Sequence, residues 1–328
     1  MLNRNSLKKL LISFTLISAL SIFCSKPIIG ILTNPVQDNT DDIMESFINQ
    51  NYVKWLETAG AEVVPIHPWL SDSELDLILS KVNGVFFQGG STFLRLDSPF
   101  VISATKILKR VIKEKDQKNR ILPLWGTCQG FELIHVIVSG SRTVLENYNS
   151  YNVISSLQID SDANKTSKLF SLFSDQDIVN LKAEALTAEF HHWGVSLDDY
   201  KIFTDLEAFL EQNSFAFDND GKIYVASAEA KKYPIYMVQF HPEKTSYDMN
   251  SSDNVPQGID AVRVSHNFAN FFVNVSREND NKMSEEEMKL FGLINSFEKQ
   301  AEKKESSNVY LYKRPTVFKQ SKMMKFLD

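Results

Sequence analysis

Cys128 stands in the run Leu122-Pro123-Leu124-Trp125-Gly126-Thr127-Cys128-Gln129-Gly130-Phe131-Glu132, where an apolar segment breaks at a Gly-x-Cys-x-Gly turn and an amphipathic one begins. The pattern reads as strand, sharp turn and helix, with Gly140 as the helix stop. Such a turn is a nucleophile elbow when its central residue is held in a strained conformation above the strand end. Gly126 and Gly130 permit a close strand–helix approach that a Cβ would block. At a helix N-terminus the dipole and free N–H groups favour thiolate over thiol, so a Cys128 reactive at mildly acidic pH is expected. The N–H of Gln129 would point at a developing oxyanion. A buried structural cysteine at a Gly-rich turn is the competing reading of the pentapeptide alone.

A thiolate that cleaves amides needs a base that later serves as acid for the leaving amine, and an acceptor to orient that imidazole. The apolar run Tyr233 to Phe240 reads as a strand and ends in His241-Pro242-Glu243-Lys244. Two residues apart at a strand end, His241 and Glu243 could point the same way, with Glu243 behind the ring. The alternative is a solvent-facing turn. A second strand, Gly84 to Phe87, runs into Gln88-Gly89-Gly90-Ser91. There a backbone N–H of Gly89 or Gly90 could supply the other half of an oxyanion hole, or the turn could be an ordinary one. His191 and His192 lie in Leu186 to Gly194 and, on a strand, point to opposite faces, so they would not both enter one site. No His-Glu-x-x-His or cysteine spacing supports a metal site, and the chemistry needs neither metal nor cofactor. His67, His135 and His266 are read as structural.

These groups need elements to position them. Pro27 to Leu32, Glu62 to Ile66 and Gly84 to Phe87 read as strands, with helices over Phe47 to Thr58, from an Asp72 cap through Lys81, and from Ser103 to Lys118. The alternation predicts an α/β fold, a mostly parallel sheet with helices on both faces. Ligands in such sheets bind beyond the carboxyl ends of the strands, where Cys128 is placed. Tyr151 to Tyr200 is less regular. The tail after Arg277 is charged, with Ser284 to Lys304 expected as a helix and Val309 to Tyr312 as a strand. No internal repeat is visible.

At 328 residues the chain can bury a sizeable core, and 43% hydrophobic with 23% charged residues is ordinary for a globular protein. A net charge of −6 argues against nucleic acid as the main partner. Arg4, Lys8 and Lys9 precede an apolar run from Leu10 to Cys24, short for a stable membrane span, which needs ~20 apolar residues. The pattern is that of a signal peptide over residues 1–24, cleaved between Ser21 and Ser25. Removal of Cys24 leaves Cys128 alone, and a single cysteine in a secreted chain marks a reactive thiol. Sequons at Asn164, Asn250 and Asn274 agree with that compartment.

Gly126-Thr127-Cys128-Gln129-Gly130 with His241-Pro242-Glu243 resembles the class I glutamine amidotransferase-like fold, whose triad is Cys-His-Glu. The match is closer to its gamma-glutamyl hydrolase branch, the folylpolyglutamate hydrolases. It extends to Asn51 through Glu57, Ala59 through Pro65, Gly89-Gly90-Ser91, Leu186-Thr187-Ala188, Phe190-His191 and Val238 through Lys244, covering about 26–277. The resemblance implies a catalytic domain over that range followed by a charged extension, 278–328. Cys128 would be nucleophile, His241 acid–base and Glu243 its orienting partner, with Glu132 and His191 at the active site and Tyr52 near it. It implies hydrolysis of γ-glutamyl bonds through a Cys thioester, with folylpoly-γ-glutamates as the substrate class and a lysosomal, vacuolar or extracellular destination. A homodimer is left open. Gln88 stands where the family often has Pro, His192 where Lys is frequent, and Gln129 where Leu is frequent. A glutaminase or other γ-glutamyl amidase is the alternative activity, and a non-catalytic secreted binding protein of the same fold is the alternative from another class.

Overall fold

The computed structural model describes residues 26–36, 42–248, 250–292, 299–301 and 308–314. The expected signal segment and the basic end beyond Arg314 lie outside these residues. Eight strands form the main sheet in the order β4-β1-β5-β6-β12-β11-β10-β8. They are β1 (Ile28–Leu32), β4 (Glu62–Ile66), β5 (Gly84–Phe87), β6 (Leu124–Thr127), β8 (Gln158–Ile159), β10 (Leu210–Phe217), β11 (Ile223–Ala230) and β12 (Ile235–Val238). The pairings from β4 to β12 are parallel. Those from β12 through β11 and β10 to β8 are antiparallel. Every residue of β1, β5, β6 and β12 is buried, as continuous apolar strands covered on both faces require.

Local sequence explains the helices. Ser98 caps Pro99–Lys118 by accepting from the Val101 N–H, Pro99 opens the first turn, and Asn119 closes the end in a left-handed conformation. The helix therefore begins before the expected Ser103. Ser71, not Asp72, caps Asp72–Leu79, in a capping box with Glu74. The expected helix from Phe47 begins only at Gln50, because Glu45–Asn49 is strand β3 and Asn49 caps the Gln50–Thr58 helix.

Strand β3 belongs to a small sheet of order β13-β14-β3-β2, with β2 (Asn34–Pro35), β13 (Lys299–Ala301) and β14 (Asn308–Lys313). The expected Val309–Tyr312 strand is thus present, paired antiparallel with β3 from Val309↔Asn49 to Lys313↔Glu45. The tail helix spans Glu285–Phe291, shorter than the sequence pattern suggested. A third pair, β7 (Glu146–Ser155) with β9 (Thr187–Gly194), fills the less regular middle.

One face of the main sheet is sealed by an aromatic cluster. Trp125 packs on Trp55, Phe268 and Phe272 at centroid distances of 5.7, 6.0 and 5.7 Å. Pairs of this kind contribute about 0.5–1.5 kcal/mol each beyond area burial. They fix the Gln50–Thr58 and Ile259–Arg277 helices against β6, and so fix the side chains those helices carry into the site.

Candidate active site

The carboxyl ends of β5, β6 and β12 open into one cleft of about 830 Å3, lined by Tyr52, Gly89, Gly90, Cys128, His191, His241 and Glu243 among others. Cys128 follows β6 and precedes the Gln129–Ser139 helix with φ 52° and ψ −108°, a conformation that costs a non-glycine residue on the order of 1–3 kcal/mol. Its N–H is held by the Val238 carbonyl at 2.9 Å, and its carbonyl accepts from the Glu132 N–H at 3.0 Å. A Cβ on Gly130 would collide with the Phe87 carbonyl, so only glycine lets the helix start this close to β5.

His241 follows β12, its N–H donating to the Ala188 carbonyl at 2.9 Å. Its Nδ1 lies 2.8 Å from Glu243 Oε1. A carboxylate only accepts, so Nδ1 carries the proton and Nε2 is the free base of the neutral ring. Nε2 is buried and bonded to nothing among the described residues. The Cβ that Gly89 lacks would sit 3.0 Å from His241 Cε1 and 3.4 Å from Cys128 Cβ, so ring and elbow meet over that glycine. Ser265 donates to the Pro242 carbonyl and holds the His-Pro-Glu turn against the Ile259–Arg277 helix.

Tyr52 joins this network. Its hydroxyl accepts from the Gly89 N–H at 3.0 Å and lies 3.2 Å from His241 Nδ1. Gly89 therefore spends its N–H on Tyr52, and of the two glycines only Gly90 remains a candidate oxyanion donor. The Gln129 N–H donates to the Cys128 sulfur. Its side chain is structural: Nε2 donates to the Thr92 carbonyl at 2.7 Å, and Oε1 accepts from Asn34 Nδ2 at 3.3 Å. Asn34 Nδ2 also donates to the Gly89 carbonyl at 3.0 Å. Gln88 binds the β3 backbone at Asn49 N–H and the Phe47 carbonyl. These amides clamp the glycine turn from both sides.

The helix N-terminus predicts a lowered thiol pKa, and the surroundings of Cys128 push the other way. Burial pushes the Cys128 thiol up, and Glu132, Glu243 and Glu189 add to that push against the opposing pull of the Gln129 N–H. Burial is the larger of these effects and the carboxylates the smaller, and both oppose the helix N-terminus.

Glu132, one turn beyond Cys128, accepts from Gln239 Nε2 at 3.2 Å. Burial raises its carboxyl to about 7, partly opposed by His191, Gln239 and Arg142. Below that pH the carboxyl is neutral and above it is charged, so an anionic ligand meets one fewer negative charge in acid. KM for a polycarboxylate substrate should fall by about 3- to 10-fold from pH 8 to 6, and Glu132→Gln should flatten that limb. An unchanged pH profile of KM in Glu132→Gln would remove Glu132 from substrate binding.

His191 is buried, its Nδ1 donating to the Trp193 carbonyl at 2.8 Å and its Nε2 lying 3.3 Å from Glu189 Oε2. His192 is exposed and stacks on Tyr151 at 5.0 Å. The expectation that only one of the two would enter the site does not hold, since both line the cleft, His191 from a buried position and His192 from an exposed one. His135 bonds the Phe131 carbonyl and Tyr200, while His67 stacks on Trp69, both as structural residues. Sequence reasoning missed Asn34, Glu189, Gln239 and Arg142. Only Gln239, inside the Gln-Phe-His-Pro-Glu run, carried a local signal.

A family model described as peptidase C26 matches residues 27–243. The gamma-glutamyl hydrolase of Homo sapiens is 32% identical over 277 residues, covering 83% of this chain and 84% of its own length. Probable gamma-glutamyl hydrolase 3 of Arabidopsis thaliana is 33% identical, covering 83% and 79%. Gamma-glutamyl hydrolase B of Dictyostelium discoideum is 30% identical, covering 83% and 78%.

Proposed function

The chain belongs to the peptidase C26 family, and from that premise we propose that it is a cysteine-type hydrolase of γ-glutamyl peptide bonds whose substrates are folylpoly-γ-glutamates. The observation that carries the reading is His241, oriented by Glu243 and with Nε2 free, meeting a strained Cys128 over Gly89. The Cys128 sulfur attacks the side-chain carbonyl of a γ-linked glutamate while its proton passes to His241 Nε2. The N–H groups of Gln129 and Gly90 hold the oxyanion, an effect worth ~3 kcal/mol per donor in related chemistry. His241 then protonates the departing glutamate nitrogen as the C–N bond breaks and a thioester remains. Water, deprotonated by His241, attacks the thioester and restores Cys128. Glu243 holds the ring in the required tautomer and balances the imidazolium. Tyr52 steadies both the ring and the glycine turn, and Glu132 and His191 contact substrate.

Incubation with defined pteroylpoly-γ-glutamates, with products followed by mass, should show progressive loss of γ-linked glutamate, while α-linked isomers stay intact. Intact γ-linked chains together with release of ammonia from glutamine would replace this reading with a glutaminase.

The N-terminal pattern supports entry to the secretory pathway, with a lysosomal, vacuolar or extracellular destination. In a eukaryotic secretory host the chain should end N-terminally between Ser21 and Ser25. It should carry glycan at Asn274, whose side chain is exposed on the Ile259–Arg277 helix. Asn164 and Asn250 are half-buried and spend their amides on Asp175 and Asp253. A full-length, unglycosylated chain retained in the cytosol would contradict this destination.

A further inference from the structure

The cleft is walled by carboxylates, yet the proposed substrate is a polyanion. In a γ-linked chain the backbone runs through the side-chain carboxyl, so every glutamyl residue keeps a free α-carboxylate. Glu132 and Glu243 line the cleft, and Glu189 lies against His191. Binding therefore needs a cation that the protein has not already neutralised.

Two basic side chains other than histidine line the cleft, Lys244 and Arg142. Lys244 is taken: its Nζ lies 2.5 Å from Asp248 and 3.5 Å from Asp253. Arg142 differs. Its guanidinium carbon lies 4.1 Å from the Phe93 ring centre and 4.6 Å from that of Trp193. Aromatic contacts of this kind fix the plane of a guanidinium while leaving its edge donors unused. The Arg142 side chain forms no hydrogen bond or ion pair among the described residues, and its Nε is buried without a partner. It stands close enough to Glu132 to pull that carboxyl down, which places it in electrostatic reach of the turn that follows Cys128.

We propose that Arg142, held against Phe93 and Trp193, is the specificity residue that receives a glutamyl α-carboxylate of the substrate in a bidentate pair. The inference rests on the γ-glutamyl reading and adds to it the group that selects a glutamyl unit over a neutral γ-amide. A planar fork with five donors matches a carboxylate better than an ammonium does.

The test compares γ-glutamyl-glutamate with two analogues, each carrying a carboxamide in place of one α-carboxylate, on the acyl-donating or on the leaving residue. Arg142→Gln should raise KM for the parent about 10- to 100-fold with kcat within about threefold, and Arg142→Lys should fall between. On one analogue, wild type and Arg142→Gln should agree within about twofold, which identifies the residue read. Should Arg142→Gln fold poorly, Arg142→Lys carries the same comparison: its raised KM on the parent should shrink to within about twofold of wild type on that analogue. An unchanged KM for the parent in Arg142→Gln, or an equal penalty on all three substrates, would overturn the assignment. Failure of wild type to cleave the parent would overturn the γ-glutamyl reading and this inference with it.

Discussion

Cys128→Ala should lower turnover by about 10^4-fold or more while leaving the thermal midpoint within a few degrees of wild type. The kinetic effect is large because no other nucleophile stands at the elbow, and water would have to attack an unactivated amide. The stability effect is small for three reasons. Alanine keeps the Cβ that packs over Gly89, so the φ 52° strain is unaltered. The backbone bonds to Val238 and Glu132 do not involve the side chain. Loss of one buried sulfur removes little apolar contact, and the thiol already stands among carboxylates that disfavour its charged form. Initial rates and a melting curve on the same preparation check both halves. Near-wild-type rates would make Cys128 a structural residue.

Glu243→Gln should lower kcat by about 10- to 1000-fold, less than loss of Cys128, because an orienting group matters less than a reacting one. Two effects compete. Glu243 pushes the Cys128 thiol up, so its neutralisation makes that proton easier to remove. Against this, the imidazolium loses its counter-charge at 2.8 Å. The amide also fits poorly. With its oxygen toward His241 Nδ1, its NH2 occupies the place of Oε2, a buried atom bonded to nothing among the described residues. With its NH2 toward Nδ1, two donors meet. The second effect dominates because the oriented ring must act in both acylation and deacylation. KM should move less than kcat. Equal kcat in wild type and Glu243→Gln would leave the orientation of His241 to Tyr52 alone.

Much of this site was legible in the sequence because its parts sit at strand ends, where apolar runs break. The elbow announces itself by a change of period and two glycines, and the His-Pro-Glu turn by the apolar run before it. What the sequence hid depends on distant partners. Glu45–Asn49 alternates buried and half-buried residues, yet a helix seemed to start at Phe47 because its strand partner is β14, far along the chain. The push on the Cys128 thiol is hidden for the same reason: it comes first from burial, and two of its carboxylates are distant in sequence, Glu243 in the turn after β12 and Glu189 on β9. Arg142 gave no local sign at all, since Phe93 and Trp193 come from different loops and strands to meet it. Strand alternation sets His191 and His192 on opposite faces of β9 and so predicts that they do not share a site, yet both line the cleft, because alternation carries no information on how a cleft is shaped around a strand.

The covalent step on Cys128 is the central claim, and the acyl-enzyme is its most direct test. Wild-type protein turning over a γ-glutamyl oligomer would be quenched in acid at a series of times and mapped by peptide mass. The Cys128 peptide should carry the mass of the acyl fragment, lose it to hydroxylamine, and stay unmodified in Cys128→Ala. An acyl group on any other residue, or full turnover with Cys128 unmodified at every quench time, would contradict the mechanism.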